Sequence, residues 1–87
     1  LLELLEKRVE SARARGDVGG ELEGLGRLAG AREQAGERDA AIEVHQRILA
    51  RDPSHEASLR SIARLHAAAG RPAEAADAME RLLPLLE

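Results

Sequence analysis

Few residues in this chain are equipped for chemistry. Its three histidines, His45, His55 and His66, show neither paired ligand spacing nor an HExxH pattern, so they are expected to be partly buried packing residues and no metal site is expected. The carboxylate pairs Glu3/Glu6 and Glu21/Glu23 suggest no cleft with two opposed acids, and both pairs are expected to face solvent. Gly16, Gly19 and Gly20 lack the preceding strand and the lysine of a phosphate-cradling loop. Cysteine is absent, which removes thiolate and disulfide chemistry and suits a reducing compartment; a cytoplasmic location is the expectation. No nucleophile–base pair stands out, so no catalytic residue and no cofactor are expected.

The elements that hold these residues must be helices. Aromatics and threonine are missing, and valine and isoleucine are few, which leaves poor material for strands. Leucine and alanine supply most of the apolar side chains and favour helix. Eighty-seven residues make one small domain with a thin core. A net charge of −3 with interspersed signs forms no basic stripe for nucleic acid. No apolar run approaches the roughly 18 residues of a membrane span. The opening Leu1-Leu2-Glu3-Leu4-Leu5-Glu6 carries acids and lacks the basic leader of a signal peptide. The richness in Ala, Arg, Gly and Leu suggests a GC-rich bacterial source.

Sliding the chain against itself by 34 residues aligns Leu25 with Leu59, Leu28 with Ile62, Ala29 with Ala63 and Gly36 with Gly70. Ala41 then meets Ala75, Ile48 meets Leu82, and Leu49 meets Leu83. Each copy reads as two helices around a glycine, at about 23–35 and 38–51 and again at about 56–69 and 72–86. An extra helix over 1–15 precedes them and reaches them through the link Gly16-Asp17-Val18-Gly19-Gly20. Gly36 and Gly70 sit where a helix ends in a left-handed residue. Pro72 suits a first turn, and Ser54 is placed to cap the helix after it. Gly24, Gly26 and Gly30 should weaken their helix by up to about 1 kcal/mol each relative to Ala. Glu43 and Arg47 are spaced as an ordinary surface pair. The short links make neighbouring helices antiparallel.

These residues resemble the tetratricopeptide repeat pattern: Leu25, Leu28-Ala29, Ala41 and Pro53 in one copy, and Leu59, Ile62-Ala63 and Ala75 in the next. The likeness runs from Leu22 to Glu87. It departs where the family has aromatics and this chain has Arg32, His45, His66 and Met79. The resemblance implies an all-α, right-handed solenoid of about five helices, divided as an N-terminal helix with its glycine-rich link (1–21), one repeat (22–55) and a second, leucine-rich repeat (56–87). It implies a non-catalytic protein-interaction module whose inner groove is lined by the first helix of each repeat. Arg27, Gly30, Glu33, Gln34, Arg60 and Arg64 would face that groove, where arginines suit an acidic or carboxyl-terminal peptide. Gly26, Gly30, Arg60 and Arg64 stand where the carboxylate clamp of chaperone-binding members would be, which argues against that role. His45 and His66, at core positions of the family, make the fold acid-sensitive if buried neutral.

Both ends are rich in leucine. Leu1, Leu2, Leu5, Leu82, Leu85 and Leu86 are candidates for self-association, since five helices are not expected to bury them all. Pro84 should interrupt the last helix and let Leu85 and Leu86 turn outward. The chain opens on Leu rather than Met, and excision from a longer array is the simplest expectation. The alternatives to a binding module are therefore a self-assembling helical segment and an accessory piece of a larger enzyme.

Overall fold

The computed structural model describes residues 2–86. Helices α1 (Leu2–Ala14), α2 (Val18–Gln34), α3 (Arg38–Arg51), α4 (Glu56–Ala68) and α5 (Pro72–Leu82) follow one another, and a 3-10 turn covers Leu83–Leu85. Among the described residues no strand occurs, as the composition predicts. Each helix packs on the next in the chain. The result is a slab of 36 × 30 × 14 Å, about as thick as two helices packed at the usual separation.

Three of the four connections are built identically. Gly16, Gly36 and Gly70 adopt φ of +72°, +77° and +75°, a conformation that strains any residue with a Cβ. The next amide in each case donates back across the helix end: Asp17 to the Ala12 carbonyl at 2.8 Å, Glu37 to Arg32 at 2.9 Å and Arg71 to His66 at 2.9 Å. This is the bonding of a Schellman cap, which satisfies carbonyls that the helix leaves open. Gly36 and Gly70 thus take the place that the sequence suggests, and Gly16 joins them.

The link after Gly16 is shorter than its glycines imply. The Asp17 carboxylate accepts from the Gly20 amide at 2.9 Å and caps α2, so the helix begins at Val18 rather than near Glu23. Gly19 and Gly20 are therefore helical. Between α3 and α4 the cap is also unexpected. The His55 Nδ1 accepts from the Ser58 amide at 3.2 Å, whereas the Ser54 amide donates to the Asp52 carboxylate at 3.2 Å. His55 caps α4; Ser54 does not.

The core forms two clusters that share α3. One side of α3 contributes Val44 and Ile48 to a cluster with Leu5 and Val9 of α1 and Leu25, Leu28 and Ala29 of α2. The other side contributes Ala41, Ile42 and Leu49 to a cluster with Leu59, Ile62 and Leu65 of α4 and Ala78 and Leu82 of α5. Of the small residues recurring at the 34-residue spacing, Ala29, Ala41 and Ala63 are buried between helices, whereas Ala75 is only half-buried. Gly24 also marks such a contact. A Cβ there would lie 2.8 Å from the Val9 Cγ2, so the glycine lets α1 lie against α2. Gly26 and Gly30 face open space and keep only their propensity cost.

At the C-terminal end, Pro84 has no amide proton to bond the carbonyl one turn back, and its ring would collide with that carbonyl. The α-helix accordingly stops at Leu82 instead of near Leu86. Leu85 tucks against the core, contrary to the outward turn expected of it, and Leu86 is exposed.

Candidate functional site

The histidines are each absorbed by local structure. His45 is buried on α3, and a hydrogen bond of 3.1 Å joins its Nδ1 to the Ser58 hydroxyl on α4. Burial lowers its pKa, with the Glu33 carboxylate opposing the shift. His66 is half-buried, and its Nδ1 accepts from the Arg71 Nε at 3.0 Å, which leaves the proton on the other ring nitrogen. His55 is the α4 cap described above. Among the described residues, no three His, Cys, Asp or Glu side chains stand close enough together to hold a metal ion.

Charged side chains pair across helices more than along them. Glu21 is buried rather than solvent-facing, and the Arg51 Nε donates to it at 3.2 Å, tying the start of α2 to the end of α3. Glu23 is exposed and meets Arg27 at 3.2 Å. Arg47 turns away from Glu43 and reaches Glu6 of α1 at 3.6 Å. Arg71 holds Asp39 at 2.6 Å, tying the first turn of α3 to the residue that precedes α5.

The six residues expected to line an inner groove divide among different sites. Arg64 on α4 donates to Glu33 on α2 at 2.9 Å. Arg60 and Arg64 border a groove of about 580 Å³ between α4 and α5. Its remaining walls are apolar: Ala63 and Ala67 from α4, and Ala75, Met79, Leu82 and Leu86 from the C-terminal part. Arg27 instead lines a smaller depression of about 280 Å³ between α1 and α2, beside Arg8 and Arg15. Gly30 and Gln34 are exposed on α2 and border neither hollow. Spacing alone does not mark Met79 as a groove residue, although the 34-residue shift sets it opposite the buried His45.

The leucine-rich ends also separate. Leu5 and Leu82 are buried within the chain itself, and Leu2 and Leu85 pack half-buried against it. Leu86 is exposed, as are Leu4, Met79 and Leu83. Leu1 lies outside the described residues.

No curated protein matches this chain. A tetratricopeptide repeat family model matches residues 32–85, more than half of the chain, from the last turn of α2 through the 3-10 turn. With its helical hairpins, glycine turns and buried small residues recurring in that register, the chain belongs to the tetratricopeptide repeat family.

Proposed function

We propose that the chain is a non-catalytic protein-interaction module that takes up an acidic partner segment against the basic rim of the α4–α5 groove. Repeats of this family generally mediate protein–protein interaction. The observation that carries the reading is the combination at one groove of two arginines, Arg60 and Arg64, with an otherwise apolar lining. Apolar walls supply affinity and guanidinium groups supply recognition of carboxylates. Glu33, held by Arg64, extends the contact region toward α2 and its exposed Gly30, Gln34 and Arg27. No helix among the described residues is long and apolar enough to cross a membrane. We place the protein in the cytoplasm, consistent with its lack of cysteine.

Affinity capture tests this reading. The full chain and its Arg60→Ala/Arg64→Ala variant are used as baits under the same conditions. The module reading expects the wild type to retain proteins that the variant loses. Equal capture by both baits overturns the groove assignment.

A second reading is self-association. It is favoured by the exposure of Met79, Leu83 and Leu86 at one end of the molecule. Light scattering over a wide concentration range decides it, because a chain that stays monomeric at the highest concentration does not assemble through this end.

A further inference from the structure

We propose that the depression between α1 and α2 binds a small phosphate dianion, free or at the head of a phosphomonoester, through Arg8, Ser11, Arg15 and Arg27. The site is separate from the α4–α5 groove and does not depend on the interaction-module reading.

Spacing brings the donors together. Arg8 and Ser11 stand three residues apart on α1. The Arg15 amide bonds the Ser11 carbonyl at 3.1 Å, so Arg15 continues the helical turn and stays on the face of the other two. Arg27 comes from α2, and all four side chains line one hollow of about 280 Å³. Leu5 and Ala12 give that hollow an apolar part. The Arg15 Nη1 donates to the Ser11 hydroxyl at 2.8 Å. This bond ties the guanidinium to the wall of the hollow and leaves the hydroxyl proton free to be donated. The packing of the repeats does not call for these residues. The 34-residue shift sets Arg27 against Ser61 and Glu23 against Ala57, and all four donors are exposed.

The charges at this hollow do not balance. Three arginines line it against one acid, Glu23, which Arg27 takes up at 3.2 Å. Asp17 stands 3.8 Å from Arg15, beyond hydrogen-bond distance, and its other carboxylate oxygen is committed to the Gly20 amide. Among the described residues no carboxylate lies within ion-pair distance of Arg8. Two positive charges, on Arg8 and Arg15, are therefore left without a close partner. A phosphate dianion matches them in charge, and its oxygens can accept from the guanidinium groups and the Ser11 hydroxyl together. A carboxylate brings one charge and two oxygens, which leaves part of this donor set unused. The hollow falls just below the roughly 300–1,000 Å³ of sites for drug-sized ligands, so the occupant is small.

The probe is inorganic phosphate, titrated at pH 7.5 and fixed ionic strength into the isotopically labelled full chain and followed by NMR. Saturable shift changes are expected at Arg8, Ser11, Arg15 and Arg27, with a Kd on the order of 1 mM because water screens exposed charges. Arg8→Gln should weaken binding about fivefold. Arg13→Gln removes the same charge from α1, but Arg13 lines a different hollow beside Arg47 and Arg51, so affinity should hold. At pH 5.5 phosphate is a monoanion and should bind more weakly, whereas sulfate, a dianion at both pH values, should bind equally at both. Glycerol phosphate is the second ligand. Affinity equal to that of phosphate or better assigns the site to a phosphomonoester head, and weaker binding assigns it to the free ion.

Shifts that grow without saturating, or that spread over all the arginines, overturn the proposal. So does an Arg13→Gln variant weakened as much as Arg8→Gln, which would mean that phosphate senses only the overall charge of α1. Phosphate affinity that stays unchanged at pH 5.5 would remove the dianion as the species bound. Both substitutions fall at exposed positions, and circular dichroism checks that each variant remains helical.

Discussion

His45 and Ser58 meet across the α3–α4 seam through a buried hydrogen bond of 3.1 Å. The backbone amide of the same serine donates to the His55 Nδ1 at 3.2 Å, so one residue, through its amide and its hydroxyl, links the cap of α4 to the face of α3. Shifting Ser58 back by 34 residues reaches Gly24, which receives Val9 of α1. The α1–α2 contact and the α3–α4 contact thus use the same register on the receiving helix. One is closed by an apolar methyl over a glycine, the other by a polar pair.

This pair makes stability depend on pH. Burial favours neutral His45, so its folded pKa lies below the unfolded value near 6.5. The stabilisation is complete above that value and is lost as pH falls through it toward the folded pKa. Urea unfolding at pH 7.5, 6 and 5 should show a decline that His45→Met reduces. An equal decline in the variant removes His45 as its source.

Ser58→Ala should cost about 1–3 kcal/mol, because it strips a partner from a buried imidazole nitrogen. The loss should shrink in the His45→Met background, where no polar atom remains to be orphaned. A double-mutant cycle by chemical denaturation measures the coupling.

Gly24→Ala should destabilise by about 1–3 kcal/mol despite alanine's better helix propensity. Its methyl would meet the stiff Val9 side chain at 2.8 Å. Gly26→Ala and Gly30→Ala, in open space, should raise the melting temperature instead. Thermal unfolding of the three variants checks the contrast, and three increases would contradict the contact.

Arg51→Ala should destabilise by about 1–3 kcal/mol by leaving the buried Glu21 without its partner. Adding Glu21→Gln should recover part of the loss, since a neutral amide is less costly to bury than an unpaired charge. Chemical denaturation of the single and double variants tests this, and no recovery would mean that Glu21 is solvated by another route.

Local chemistry and periodicity carry the helices, the glycine turns at 36 and 70 and the interruption of the last helix at Pro84. Each depends on a residue's own backbone preference or on a spacing of three and four, and both can be read along the chain. Three-dimensional packing settled the rest. Arg47 turns to Glu6 instead of Glu43, and Glu21 is buried while Glu23 is not. Leu5 and Leu82 vanish into the core while Leu4 and Leu86 stay outside. Gly24 proves to be a helix contact, and Met79 faces a groove. Spacing fixes which side chains share one face of a helix, but the neighbour opposite that face depends on where helices distant in the chain cross, and that geometry appears only when the whole stack is packed.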